Sequence, residues 1–253
     1  MNTPQIGSLA WGDIADGRLS RHERRELRRR TLTGIAQFTA SRLRTLTGRG
    51  RRSARAPLAV VDVPDTALAR AIEAEVRARQ SPSMTAHALR SVAFAHAVAA
   101  LDEVVVDPEL LWCACLMHDI ALESPMPGQC FAVRGGRIAR DTALAAGASA
   151  TTAHTLGDAI SRHATPGLST KSHPLAAVVQ AGALVDVLGN RLDDMDKAFV
   201  TELLDAYPRQ GFSGLLARAW TAEAKATPDG RAALLQRVGC FTIAARLAPF
   251  PNG

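Results

Sequence analysis

Aromatic residues make up only 4% of this 253-residue chain, with a single tyrosine among them, so a core has to be assembled from alanine, leucine and valine. That composition, together with abundant arginine and glutamate, favours helices over strands. Long apolar runs are also missing, and none approaches the ~20 residues needed to cross a bilayer. The first residues lack the apolar stretch and small-residue cleavage site of a secretory signal, so the expectation is a cytoplasmic protein. Cysteine is scarce. Cys113, Cys115, Cys130 and Cys240 have no C-x-x-C spacing, which supports neither a zinc ribbon nor a disulfide framework. Buried free thiols are expected, with Cys130 set apart by its place in a loop between two helices.

Acidic residues are few at one end of the chain. Residues 1–57 hold thirteen arginines against Asp13, Asp16, Glu23 and Glu26, a net charge of +9 that leaves −3 for the rest of the total of +6. The basic character therefore belongs to this segment, and the body does not read as a nucleic-acid binder. Ser20 and Glu23 have the spacing of a capping box, which predicts a helix from there to about Leu46. Leu32, Ile35, Ala36, Leu43 and Leu46 then share one face. Such a basic amphipathic helix can meet a polyanion or an anionic membrane, or it can pack on the body or remain a solubilising extension. The reading adopted is a basic, partly helical or disordered extension over 1–57, followed by one helical domain over 58–253.

Within that domain, helices are expected from Pro64-Asp65-Thr66 to Gln80, after Ser81-Pro82, and after Asp107-Pro108, where an N-capping carboxylate precedes proline at the first helical position. Further helices are read over 136–147, 150–163, from His173-Pro174 to Gly189, and over 196–206, 214–225 and 229–247. The short apolar run 58–63 has strand character but is ambiguous alone. The fold class is all-α, with a core over about 64–189 and additional C-terminal helices over 190–253.

What remains is a set of polar residues in apolar helices. His118-Asp119 ends the apolar stretch Leu110 to Met117, His87 interrupts the helix after Pro82, and Asp186 interrupts Ala183 to Leu188. A buried carboxylate beside an imidazole is costly unless a cation receives it, and a divalent metal does so economically. Lone helix histidines are usually satisfied core residues. Four such groups in the order His, His-Asp, Asp supply two nitrogen and two carboxylate ligands.

This order resembles that of the HD-domain superfamily of metal-dependent hydrolases, over about Pro64 to Gly189. Asp107-Pro108-Glu109-Leu110, Phe131-Ala132-Val133-Arg134-Gly135-Gly136, Ala159-Ile160-Ser161-Arg162-His163 and Val179-Gln180-Ala181-Gly182 make it most similar to cyanamide-hydratase-like and other small-molecule members. The resemblance implies His87, His118, Asp119 and Asp186 as ligands of one divalent transition metal, among zinc, iron, manganese and nickel. It implies a small-molecule substrate attacked by activated water, either a phosphoester that is hydrolysed or a nitrile that is hydrated. A non-catalytic, metal-containing sensor is the alternative. Asp119 can serve as both ligand and base, since it has two oxygens. His163, at the end of its helix, is expected at the site as a substrate contact or further ligand. His173 is a weaker candidate, and His96 and His154 fall on other faces. Many phosphohydrolases of the superfamily continue the pair with Ile-Gly-Lys. Here Ile120-Ala121-Leu122 stands instead, which removes one phosphate anchor and leaves Arg90, Arg134, Arg137 and Arg162 as substitutes.

Overall fold

A computed structural model describes residues 4–46 and 53–250. Among them are twelve α-helices and no strand, so the fold is all-α. In chain order these are α1 (Leu9–Ala15), α2 (Arg21–Leu46), α3 (Ala67–Arg79), α4 (Pro82–Leu101), α5 (Pro108–Met117) and α6 (Phe131–Ala145). They continue as α7 (Ala150–His163), α8 (Pro174–Leu188), α9 (Lys197–Ala206), α10 (Phe212–Ala226), α11 (Arg231–Gly239) and α12 (Phe241–Arg246). No helix among the described residues is long and apolar enough to cross a membrane.

Side-chain caps set most of the starts. Thr66, Ser81, Asp107, Ser149 and Asp196 each accept a hydrogen bond from the backbone N–H three residues on, satisfying an amide that the first helical turn leaves free. The Ser20–Glu23 capping box forms reciprocally: the Glu23 carboxylate accepts from the Ser20 amide at 2.8 Å and the Ser20 hydroxyl from the Glu23 amide at 3.3 Å.

The centre is α5, whose buried face meets α3, α4, α7 and α8. Around it lie two tight pairs, α4 with α8 and α6 with α7. Glycine sets both approaches. A Cβ at Gly136 would lie 2.5 Å from the Gly157 carbonyl oxygen, and one at Gly182 would lie 2.5 Å from that of Ser91. Gly182→Ala is therefore expected to push α8 off α4 and lower stability by about 1–3 kcal/mol in a denaturant melt. An unchanged midpoint would show that the pair accommodates the methyl group.

The structure departs from the sequence expectations in several places. The described part of residues 1–57 packs on the body rather than forming a separate extension. α1 packs on α6 and α7, its Leu9 amide donates to Asp158 at 2.8 Å, and Ser161 donates its hydroxyl to the Gly7 carbonyl. Trp11, Leu19 and Leu27 are core residues, and α2 lies against α11. The buried face of α2 runs through Leu27 and Thr31, whereas Leu32 and Ile35 from the expected stripe are exposed. The side chains of Leu43 and Leu46, and residues 47–52, lie outside the described residues. Ala54, in the basic stretch 48–57 expected to be a linker, is bonded to Asp194 and Asp196 through its backbone.

Helix α6 starts at Phe131, five residues before the expected position, because Gly135 and Gly136 sit inside it where α7 comes closest. Leu58–Val61 is a 3₁₀ turn. The helix expected over 229–247 is two, broken at Cys240, whose φ of 49° is left-handed and ends α11.

Candidate metal centre

Helices α4, α5 and α7, together with the turn after α5, deliver four side chains to one place. His118 and His163 use the same local device. Each stands at the C-terminal end of its helix, where the last carbonyls have no intrahelical donor, and each gives its Nδ1–H to the carbonyl three residues back. His118 bonds Cys115 at 2.6 Å and His163 bonds Ile160 at 2.6 Å. His87, midway along α4, gives its Nδ1–H to the Asp186 carboxylate at 2.7 Å. Since a carbonyl or carboxylate oxygen can only accept, the proton of each neutral ring sits on Nδ1. All three Nε2 atoms then carry lone pairs.

These lone pairs are buried and meet. His87 Nε2 and His118 Nε2 are 3.1 Å apart, and Asp119 Oδ2 is 3.7 Å and 3.4 Å from them. Two neutral imidazole acceptors at that separation cannot hydrogen-bond to each other, so the arrangement needs a proton or a cation between them. The size fits a metal: the point equidistant from the three atoms lies about 2.0 Å from each, close to the length of zinc–histidine and zinc–carboxylate bonds. His87, His118 and Asp119 thus form a buried group that can hold a metal ion. Nitrogen and carboxylate donors of this kind suit zinc, iron, manganese or nickel.

His163 approaches from the other side. Its Nε2 is 3.5 Å from Asp119 Oδ1, so Asp119 has one oxygen toward the two other histidines and one toward His163. Asp119 and His163 are also the least enclosed of the four, at 5% and 7% exposure against 0% and 1% for His87 and His118. Burial works against the charge on Asp119, but His118 and His163 win and hold its carboxyl well below the usual range. Desolvation likewise opposes charge on His118, yet Asp119 beside it raises that imidazole, whereas burial dominates in His87 and His163 and lowers both.

Asp186, expected as the fourth ligand, stands behind His87 rather than beside the converging atoms. Arg90 spans it, donating Nε to Oδ1 at 2.8 Å and Nη2 to Oδ2 at 2.9 Å, and Arg209 adds Nη1 to Oδ1 at 2.6 Å. Burial opposes its ionisation, but the two guanidinium charges prevail and keep the carboxyl far below the ordinary range. Arg209 lies between α9 and α10, 23 residues from Asp186, and nothing local in the sequence marks it. Phe212, at the start of α10, stacks on His87 with centroids 4.6 Å apart, and it too escaped the sequence reading.

Of the other candidates, His173 bonds Gln5 at 3.0 Å away from the cluster, and His154 is exposed. The arginines considered as phosphate anchors are mostly committed to the fold. Arg137 bonds Asp13, Asp16 and the Gly12 carbonyl; Arg162 bonds Asp158 and Gln5; Arg90 holds Asp186 and the carbonyls of Tyr207 and Pro208. Arg134 differs, with a buried Nη1 that has no partner. Cys113, Cys115 and Cys130 are buried free thiols and Cys240 is exposed; burial pushes the Cys113 thiol up to about 12. Compared with protein-family models and with curated proteins, the chain finds no match in either.

Proposed function

We propose that this protein is an HD-type metal-dependent hydrolase or hydratase acting on a small molecule. The observation that carries the reading is the pair of converging Nε2 atoms of His87 and His118, 3.1 Å apart and closed by Asp119 Oδ2. These three residues would hold the metal. A bound divalent ion would bring water to near-neutral acidity and polarise the bond under attack.

The chain's own groups supply the rest. Asp119 Oδ1, on the side away from the paired imidazoles, is placed to accept a proton, and His163 Nε2 beside it can take that proton onward or steady a polar atom of the substrate. Phe212 covers the far side of His87 and keeps water from that face. Phosphoesters and nitriles both suit this set, because each reaction needs one attacking water, one base and one polarised centre.

Purified protein is expected to carry about one equivalent of transition metal and to turn over a member of a phosphoester and small-nitrile panel in a metal-dependent manner. That turnover should vanish in His118→Ala. The depth of the cluster, with His87 fully enclosed, favours a second reading in which the metal serves a ligand sensor without turnover. Metal retention with no turnover across the panel would decide for the sensor, and a metal-free protein would remove both.

A further inference from the structure

Asp186 has reached the hydrogen-bonding capacity of a carboxylate. Four donors point at its two oxygens: Arg90 Nε and Arg209 Nη1 at Oδ1, Arg90 Nη2 and His87 Nδ1 at Oδ2, at distances from 2.6 to 2.9 Å. A carboxylate offers about four lone-pair sites, so none remains for a metal. Both arginines are buried, Arg90 completely and Arg209 to 4% exposure, and neither can escape to solvent. Both also have contacts beyond the Asp186 carboxylate, and Arg209 Nη1 bonds the Asp186 backbone carbonyl. Arg90 Nη1 bonds the Tyr207 and Pro208 carbonyls at 3.0 Å each, and Arg209 is sandwiched between the rings of Phe212 and Phe250, its guanidinium carbon 5.1 Å and 4.1 Å from their centroids. Bringing a cation onto Asp186 would require breaking the bidentate Arg90 contact and placing a third positive charge against two buried ones.

We infer that Asp186 is a positioning residue rather than a metal ligand. Clamped by Arg90 and Arg209, it fixes the tautomer and direction of His87, and the metal takes three protein ligands, His87, His118 and Asp119. This rests on the metal reading of the site. Its consequence is that a six-coordinate ion keeps three positions for water and substrate, one more than a four-ligand set allows. The segment Tyr207–Phe212 between α9 and α10 then becomes part of the centre, although it donates nothing to the metal.

The test titrates cobalt(II) alone into the full chain and into Asp186→Asn and Asp119→Asn. Asparagine keeps an oxygen for His87 Nδ1–H but loses the charge. Wild type should bind one equivalent. Asp186→Asn should still bind one, about 10–100-fold more weakly, with its visible bands in place, as expected for a residue that orients a ligand. Asp119→Asn should bind far more weakly than Asp186→Asn, on the order of a thousandfold below wild type. A folded Asp186→Asn chain that loses cobalt as completely as Asp119→Asn, or whose bands shift, overturns the inference. Since that substitution leaves two buried arginines without a counter-charge, crystals of the cobalt-loaded wild type supply a second measurement. The anomalous peak should lie farther from both Asp186 oxygens than the ~2.0–2.2 Å of a metal–carboxylate bond, and a peak within that reach refutes the inference. A wild-type chain that takes up no cobalt overturns the metal reading itself, and the inference with it. That result is distinct from cobalt bound with Asp186 as a ligand.

Discussion

Asp119→Ala is expected to leave the purified protein without metal while the helical circular dichroism stays near that of wild type. The carboxylate is the anionic member of the converging group, and its Oδ2 closes the triangle with His87 and His118 Nε2. Without it two neutral imidazoles remain, and removal of a ligand should weaken binding by more than the 10–100-fold typical for a lost orienting partner, on the order of a thousandfold. Any turnover should disappear with the metal. The fold should survive, because Asp119 sits in the turn after α5 and its contacts with His163 on α7 and His87 on α4 are long, at 3.5 Å and 3.7 Å. Elemental analysis beside an unfolding curve separates the two effects. Normal metal content in a folded variant would show that the metal, if any, is elsewhere; two equivalents in wild type would point to a second ion on the Asp119 Oδ1 and His163 side.

Deleting residues 1–57 should abolish the cooperative fold. Leu9, Trp11, Leu19 and Leu27 are between 0% and 5% exposed. At about 1.5–3 kcal/mol for each large apolar side chain, their loss removes about 6–12 kcal/mol, comparable to the ~5–15 kcal/mol that holds a whole domain. The deletion also strips cover from α6, α7 and α11 and leaves the buried Arg231, which lies over the Trp11 ring, facing solvent on that side. Insoluble or aggregating protein is the expected result. A soluble truncated chain with a melting temperature within a few degrees of wild type would make the N-terminal helices accessory.

The same region marks where sequence reasoning fails. Helix starts at Thr66, Ser81, Asp107, Ser149 and Asp196 were legible because a cap is a local device, completed within three residues of itself. The three converging residues were legible for a related reason: each is a polar interruption of an apolar helix, and burying it demands a partner. His163 could be placed because it closes a helix in the stretch Ala159 to His163 that carries the family resemblance. α1 was not legible, since seven residues with a central glycine carry too little periodicity, and the close approach of Val133 to Gly12, where a Cβ would lie 2.5 Å from its Cγ1, exists only in the folded chain. The turn at Cys240 had no glycine or proline to announce it. The surroundings of Asp186 were hidden for the deepest reason. Its lone pairs are consumed by Arg90 and by Arg209, and only the folded chain brings Arg209 to α8.

The docking of α1 also imposes an order of events on the nascent chain. Leu9 bonds a residue 149 positions later and Gly7 one 154 positions later, so the surface that receives α1 does not exist until α7 has been made. At ~5–20 residues per second of synthesis, Leu9 and Trp11 wait uncovered for about 7–30 s, long after the local helices have formed and relaxed. Helix α1 is thus made early and seated late, and during that interval Leu9 and Trp11 lack the surface that covers them in the folded chain.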